Sequence, residues 1–176
     1  FNPVAEEAAA WTQRHLTATN LEWFRSVPQG PLVATSRVMV AHGSPLNEDH
    51  YIISMRDAWT PLQRMATEIT FFGHTHLQGG FAQQPPEWQE VRPLYKTHDQ
   101  PEQFILDVPA GTRHLINPGS VGQPRDGDWR AAFALYDDAR RILTWYRVPY
   151  DLHEAQQRIL SAGLPDRLAT RLRDGR

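Results

Sequence analysis

Two histidines separated by a single residue form the strongest chemical signal in this chain. His74 and His76 follow the apolar run 69–72 and a glycine, Gly73. A short apolar run bounded by glycine is typical of a buried strand that ends in a turn. Residues i and i+2 of a strand share a face, and a turn after Gly73 would let the two imidazoles bind two different metal ions. The pattern predicts a metal site at a strand end; the alternative is a pair of histidines in a polar loop.

A third histidine occupies a similar position, because His42 follows the apolar run 38–41 and precedes Gly43. The alternative for His42 taken alone is a core histidine hydrogen-bonded to the backbone. The chain contains no cysteine, so a metal would have to be bound by histidine and oxygen ligands. Three histidines are enough for one zinc ion, which leaves a mononuclear zinc hydrolase as one hypothesis.

A third apolar run, 115–116, leads into the turn-forming sequence NPGSVGQPRD at 117–126. We expect this turn to shape the rim of the site. In order and spacing, the His42-Gly43 pair, the GHTH sequence at 73–76 and this turn resemble successive C-terminal motifs of the calcineurin-like metallophosphoesterases, in particular their small prokaryotic phosphatase and phosphodiesterase branch. Together the three motifs span about half of the chain.

The resemblance implies an α/β fold, with two packed sheets in a sandwich flanked by helices. It also implies hydrolysis of a phosphoester by two metal ions about 3.5–4 Å apart that activate a water molecule. Imidazole ligands favour Mn, Fe, Ni, Co or Zn over Mg, so two divalent transition-metal ions are the expected cofactors. By the resemblance, His42 and His74 would bind one ion and His76 the other.

The upstream motifs of that family are absent from these residues: an aspartate-x-histidine pair, a bridging aspartate, and a glycine-asparagine-histidine-aspartate turn. The segment 1–5 resembles the sequence that normally follows this last turn. We therefore expect residues 1–176 to be the C-terminal portion of a single metallophosphoesterase domain that lacks its N-terminal strands, with 150–176 as a helical tail. No residue here is assigned as a catalytic acid, and the chain alone is expected to be inactive.

Composition limits the class of protein. The chain has 176 residues, of which 40% are hydrophobic and 10% aromatic, enough for the core of one domain. The net charge of −2 gives no basic surface for long nucleic acid. No apolar run reaches the length of about 18 residues that a membrane span requires. The absence of cysteine is compatible with a reducing cytosol, so we expect a cytoplasmic protein.

Two residues are candidates for substrate binding. Arg125 carries a planar guanidinium that can bind a phosphate through two hydrogen bonds, although an arginine beside Asp126 is also typical of a surface ion pair. Asn47 lies in the polar stretch 47–50 after the His42 motif and either lines a pocket or is simply solvated. A small phosphodiester is the first choice of substrate, with a phosphomonoester or a phosphoprotein as the second.

Hydrophobic patterning predicts the elements that position these residues. Helices are expected over 4–16, from a capping box at 19–22 to Val27, over 54–67 with a break near Pro61, and over two segments of the tail. Strands are expected at 32–35, 37–41, 69–72, 94–95, 104–108, 114–116, 130–136 and 142–147. The segment 78–109 is predicted to form the rim of the pocket, where Trp88, Tyr95 and Phe104 either stack on substrate or pack into the core.

Three functions remain open: a metal-dependent phosphoesterase, a metal-binding or scaffold protein without catalysis, and the mononuclear zinc hydrolase. A homo-oligomer is possible, as is an N-terminal half in the same or another polypeptide. A fold that lacks its first strands would expose a sheet edge and an apolar face.

Overall fold

The computed structural model describes residues 2–84 and 86–176, so Phe1 of the opening segment and Pro85 lie outside the described residues. The helices are α1 (Pro3–His15), α2 (Ala18–Ser26), α3 (Met55–Arg64), α4 (Leu152–Ser161) and α5 (Asp166–Asp174). The strands are β1 (Leu32–Val33), β2 (Val38–Ala41), β3 (Ile69–Phe72), β4 (Gly79–Gln84), β5 (Glu87–Val91), β6 (Glu102–Asp107), β7 (Arg113–Asn117), β8 (Ala131–Asp137) and β9 (Ile142–Val148).

The strands form two sheets. The larger sheet has the order β1-β2-β3-β7-β4-β5, and the smaller sheet has the order β6-β9-β8. In the larger sheet β2, β3 and β7 run parallel, whereas β1, β4 and β5 pair antiparallel with their neighbours. The smaller sheet is antiparallel throughout. The expected α/β sandwich of two sheets flanked by helices is therefore confirmed.

The register of β2 and β3 brings the predicted site residues together. The two strands pair in parallel from Val38 with Ile69 to Ala41 with Phe72, so both strands end at the same edge of the sheet. Beyond the last pair, the backbone N–H of Gly73 donates a hydrogen bond of 2.8 Å to the carbonyl of His42. The two histidine motifs are thus joined directly through the backbone.

Two apolar clusters hold the sandwich together. One joins the larger sheet to the smaller sheet and contains Ile69, Ala82, Val91, Val108, Ile116, Leu143 and Trp145. The other packs α3 against the opposite face of the larger sheet and contains Ile52, Ala58, Leu62, Met65, Phe72, Phe81 and Leu115. Each fully buried aliphatic or aromatic side chain of this kind stabilises the fold by roughly 1.5–3 kcal/mol. Strand β3 contributes to both clusters and is therefore fixed on both faces.

Two details of the helices differ from the sequence prediction. The predicted capping box at 19–22 is wrong, because Thr17 is the N-cap of α2 and its hydroxyl accepts from the N–H of Asn20. Both threonines can cap a helix, and the earlier one places Ala18, a strong helix former, in the first turn. A true capping box begins α3, where Ser54 and Asp57 bond reciprocally. This helix continues through Pro61 without the predicted break.

The segment 78–109 differs most from the prediction. It supplies β4, which lies inside the larger sheet between β7 and β5, and its role at the rim of the pocket stays a prediction. Gly79 and Gly80 begin β4, and glycine weakens the sequence signal of a strand. Gly80 is required there because a Cβ at this position would lie 2.3 Å from the carbonyl oxygen of Leu115. The predicted strand at 94–95 does not form.

The three aromatic residues of this segment pack against protein. Trp88 stacks on Trp59 with ring centroids 4.0 Å apart, and Phe104 lies 6.1 Å from Trp145. Tyr95 donates a hydrogen bond of 2.7 Å to the side-chain oxygen of the buried Gln78. The packing alternative is therefore the one that the structure supports.

Large apolar side chains remain exposed on α2 and β1. Helices α1 and α2 bury no residue, and Trp23, Phe24 and Val33 are 67%, 64% and 64% exposed. Strand β1 contributes only two residues at this edge of the sheet. No helix within residues 2–84 and 86–176 combines the length and the hydropathy that a membrane span needs.

Candidate metal centre

The structure brings His42 and His74 together at the edge where β2 and β3 end. Their ring centroids are 4.6 Å apart and the ring planes are tilted by 58°. Tyr51 stacks on the other side of His74 at 4.1 Å. Two imidazoles at this separation can point nitrogen atoms toward a common ion. The predicted pairing of these two histidines is therefore geometrically reasonable.

The turn that carries His74 and His76 has an unusual backbone. Both histidines are in the left-handed region, with φ of 64° and 60°. A left-handed conformation costs about 1–2 kcal/mol for a residue with a Cβ atom. Residues held in this way cluster at active sites and ligand-binding sites, because only surrounding structure can maintain them. Neither conformation was evident from the sequence.

Asn117 holds this turn in place. Its buried amide nitrogen donates to the carbonyl oxygen of Gly73 at 3.0 Å and to the hydroxyl of Thr75 at 2.8 Å, while its side-chain oxygen accepts from the N–H of Gly119. The sequence suggested only that this asparagine belongs to a rim-forming turn. Its first role is to fix the backbone between the two histidines, a role that depends on contacts more than 40 residues away in sequence.

His76 is oriented by a contact with the backbone. Its Nδ1 lies 2.8 Å from the carbonyl oxygen of Gln123. Since a carbonyl oxygen only accepts, Nδ1 carries the proton and Nε2 keeps its lone pair for a metal ion. A metal-binding histidine usually donates its second nitrogen to a carbonyl or carboxylate in this way.

The protonation of the two histidines in the turn also suits a metal. Burial lowers the pKa of His74, and the positive charges of His42 and Arg125 lower it further, against the opposing effect of Asp49. Burial likewise lowers the pKa of His76 and outweighs the Gln123 contact, which raises it. Both imidazoles are therefore neutral at neutral pH, the form that binds metal ions.

The donor set within the chain is incomplete. Among the residues that the structure describes, no group of three or more histidine, cysteine, aspartate or glutamate side chains lies close enough to hold a metal ion. His42 and His74 make a pair, and His76 stands apart. The chemistry of these donors fits a transition metal, but further ligands would have to come from elsewhere. This is the arrangement that the missing upstream motifs imply.

The loop after His42 folds back on itself, so that Glu48 approaches Gly43. A Cβ on Gly43 would lie 2.3 Å from the carbonyl oxygen of Glu48, so only glycine allows the loop to approach this closely. Asn47 accepts from the N–H of Asp49 at 3.0 Å, which uses its side-chain oxygen within the turn. The loop and His42 together line a cavity of about 340 Å³. Asn47 and His42 therefore line the same cavity, and a substrate contact by Asn47 stays a prediction.

Arg125 lies on the other side of the centre, next to His76. Its backbone N–H donates to the carbonyl oxygen of His76 at 3.1 Å, and its side-chain Nη2 donates to the side-chain oxygen of Gln123 at 3.1 Å. The alternative of an ion pair with Asp126 is wrong, because Asp126 pairs with Arg147. The guanidinium is therefore available for an anion near the candidate centre.

Two further polar features were not found from the sequence. Gln78 is buried, and its amide nitrogen donates to the carbonyl oxygens of Pro118, Phe133 and Tyr146 at 3.1, 3.4 and 3.1 Å. This side chain ties the end of the histidine turn to the smaller sheet. In the sequence, the only signal was a glutamine two residues after His76, and its partners are distant in sequence.

The second feature is a group of opposite charges built around the buried side chains of Asp128, Arg130 and Arg147. We call it the arginine–carboxylate cluster, and it also includes Glu102 and Asp126. Arg130 is fully buried and pairs with Asp128 at 2.6 Å and with Glu102 at 3.2 Å. Hydrogen bonds from the backbone of Lys96 and Thr97, together with Arg130, lower the pKa of Glu102 to about 2.

Comparison with known proteins places this geometry in context. No protein-family model matches the chain. An uncharacterized protein of Methanocaldococcus jannaschii is 26% identical over 178 residues, which cover 100% of this chain and 68% of that protein. The crystal structure of a metallophosphoesterase from Sphaerobacter thermophilus is 34% identical, with a TM-score of 0.80 over 99% of this chain and 70% of that one.

A hypothetical protein from Pyrococcus horikoshii OT3 shares the fold. Its crystal structure matches with a TM-score of 0.62 and 19% identity, over 90% of this chain and 55% of that chain. In each of these three proteins a substantial part has no counterpart among the residues of this chain.

Proposed function

Because this chain belongs to the metallophosphoesterase family, we propose that the protein containing it hydrolyses small phosphoesters at a centre of two divalent transition-metal ions. The observation that carries the proposal is the His42–His74 pair at the ends of two parallel strands. The left-handed backbone at His74 and His76 supports it, because strain of this kind is maintained at sites that bind ligands.

Each residue has a proposed role. His42 and His74 would hold one ion, and Nε2 of His76 would hold the other. Bound metal would supply the acidity that activates water and neutralises the phosphate. Gln123 orients His76 by accepting its Nδ1 proton, and Arg125 would bind a phosphate oxygen. Asn47 would contact the substrate from the loop on the opposite side of the centre.

The remaining ligands would come from polypeptide outside these 176 residues, in accordance with the proposal that 1–176 form the C-terminal portion of one domain and 150–176 its helical tail. Imidazole ligands favour Mn, Fe, Ni, Co or Zn. The cytoplasm is the proposed compartment, because the chain contains no cysteine for disulfides.

A small phosphodiester remains the first proposed substrate, with a phosphomonoester or a phosphoprotein next. The second candidate function is a metal-binding or scaffold protein without catalysis. It is favoured by the incomplete donor set, since no three potential ligands among the described residues converge. The two functions differ in whether metal binding is accompanied by turnover.

The test compares two variants of the whole natural polypeptide. His74→Ala is expected to remove metal from one position and to lower hydrolysis of an aryl phosphodiester by at least about 100-fold, since a metal ligand is lost. The matched control is His153→Ala, which changes an exposed histidine on α4 and should leave both unchanged. Metal content by elemental analysis and initial rates with added Mn are measured together.

Two results would count against the proposal. Full activity in His74→Ala would refute the assignment of the site. Stoichiometric metal in the wild type without hydrolysis of any mono- or diester would favour the non-catalytic function.

A further inference from the structure

A cavity of about 380 Å³ borders the candidate centre on the side of His76. Its wall includes Arg125, from the turn after β7, and Arg167 and Arg171, from α5. Asn2 and Ala5, from the first turn of α1, complete one end of the cavity. This volume lies within the range of small-molecule sites.

None of the three arginines is neutralised by an acidic side chain of the described residues. Across residues 2–84 and 86–176, none of them lies within ion-pair distance of an aspartate or glutamate. Asp126, the nearest in sequence to Arg125, pairs with Arg147 instead. Burial lowers the pKa of Arg171, and the positive charges of Arg125 and Arg167 lower it further. The cavity therefore concentrates positive charge that no aspartate or glutamate of the described residues pairs with.

Hydrogen-bonding groups also remain available there. The Nε of Arg125 is buried and has no partner among the described residues, although its Nη2 donates to Gln123. The Nε of Arg171 donates to the backbone carbonyl of Arg176. An unpaired buried guanidinium nitrogen costs free energy, so the protein alone does not fully satisfy the Arg125 side chain.

The first turn of α1 adds a favourable electric field. This helix has 13 residues, and its N-terminus carries the positive end of the helix dipole. Asn2 caps the backbone N–H groups of Val4 and Ala5. The helix end, with its cap, faces the same cavity as the arginines.

The cavity is contiguous with the candidate centre. Gln123 lines the cavity and, through its carbonyl oxygen, also orients His76. Arg125 lines the cavity and donates its N–H to the carbonyl of the same histidine. An anion held by the arginines would thus lie directly beside a phosphoester bound at the metal ions.

We propose that Arg125, Arg167 and Arg171 form an anion subsite that binds a second phosphate of the substrate, one that is not cleaved. The substrate class is then a phosphoester that carries at least one additional phosphate, such as a nucleotide with a diphosphate chain. This substrate assignment rests on the proposed phosphoesterase function, whereas the anion subsite itself does not.

The subsite is tested by binding of pyrophosphate to the whole natural polypeptide after treatment with a chelator, so that metal does not contribute. Arg167→Gln/Arg171→Gln is expected to weaken binding at least about tenfold, as the loss of charge-assisted hydrogen bonds predicts. Arg173→Gln, on the same helix but exposed and outside the cavity, is the matched control and should bind like the wild type. His74→Ala should also bind normally.

Equal binding by the double variant and by Arg173→Gln would overturn the subsite, as would an absence of saturable binding in the wild type. Thermal unfolding of the double variant shows whether it is folded. If it is not, the single variant Arg167→Gln, at an exposed position, replaces it in the same comparison.

The substrate class is tested by kinetics in the presence of Mn. In the double variant, KM for an ester that carries a second phosphate should rise at least about tenfold, while KM for a simple aryl phosphodiester should stay within about twofold. An equal change for both substrates would overturn the substrate class. If the wild type hydrolyses neither ester, the proposed function and the substrate class fail together, and pyrophosphate binding still decides the subsite.

Discussion

The histidine turn and the arginine–carboxylate cluster are both polar regions of the sandwich, yet they are built in opposite ways. In the cluster, Arg130 donates from all three of its nitrogen atoms, to Asp128, Glu102 and the carbonyl of Gln100. At the histidine turn and the neighbouring His42, by contrast, no carboxylate of the described residues forms an ion pair with any of the three histidines.

The backbone follows the same division. The turn holds two histidines in a left-handed conformation, whereas Arg130 and Arg147 have ordinary backbone geometry. Buried charges that pair with one another contribute to the fold, while a strained backbone is characteristic of sites that receive a ligand. Backbone strain therefore distinguishes the histidine turn from the cluster, whose arginines and carboxylates pair with one another.

The largest expected effect concerns the cluster. Arg130→Leu should lower the free energy of unfolding by about 3–5 kcal/mol, because the buried carboxylate of Asp128 would keep a single ion-pair contact, at 3.7 Å with Arg147. Urea unfolding of the whole polypeptide measures the change. The exposed arginine on α5, Arg173, provides the control, and Arg173→Leu should change stability by less than about 0.5 kcal/mol. A loss below about 1 kcal/mol in Arg130→Leu would erase the distinction between the two regions.

A fourth histidine, His114, is buried outside both regions. His114 on β7 is 2% exposed, and burial, with a smaller effect of the Arg141 charge, lowers its pKa from 6.5 to about 4. The unfolded chain binds a proton at this position below pH 6.5, whereas the folded chain does not until about pH 4. Stability should therefore fall as the pH drops through this window, by up to roughly 3 kcal/mol.

The variant that tests this is His114→Gln, measured by thermal unfolding between pH 7 and pH 5. It should show a smaller loss of stability on acidification than the wild type. His153→Gln, which changes an exposed histidine, should keep the full dependence. If His114→Gln and His153→Gln respond alike, another group is responsible for the acid sensitivity.

Asn117 connects the fold to the histidine turn, so its replacement should affect both. Asn117→Ala removes two donors to Gly73 and Thr75 and should destabilise the protein by about 2 kcal/mol. We also expect weaker metal binding, because the backbone of the turn would no longer be fixed. Calorimetry with Mn or Zn measures this loss. Metal affinity equal to that of the wild type would show that the turn holds its shape without the asparagine.

The smallest expected effect has the opposite sign. Glycine adopts the left-handed conformation without strain, so His74→Gly should raise the free energy of unfolding by about 1 kcal/mol while metal binding is lost. The comparison is His74→Ala, which keeps a Cβ atom and hence the strain. Equal stability of the two variants in urea unfolding would show that the turn carries no strain.

Much of the framework was predictable from sequence. Short runs that are apolar except for Thr70 predict strands β2 and β3, because strands buried on both faces of a parallel sheet have this pattern. The same runs located His42, His74 and His76 at strand ends. Strand β4 was missed because Gly79 and Gly80 are poor strand formers, and their presence is explained only by the close approach of β7.

The finer geometry of the site was beyond such patterns. The orientation of His76 depends on the carbonyl of Gln123, which is 47 residues away in sequence. The partners of Arg125 and Asp126 likewise follow from tertiary packing, since adjacent opposite charges in sequence need not pair. Single-sequence patterns describe local periodicity, whereas these contacts depend on how distant segments are juxtaposed.

The amide of Gln78 sets a limit on how this protein can change over evolutionary time. It reaches from the end of the histidine turn to the carbonyl oxygens of Phe133 and Tyr146 in the smaller sheet. Apolar residues in the sandwich interior can exchange volume with one another, but an asparagine at this position is one methylene shorter and would not span the same gap. The length of the Gln78 side chain therefore constrains the separation of the two sheets. We expect substitutions to accumulate among the core residues around it while Gln78 is retained.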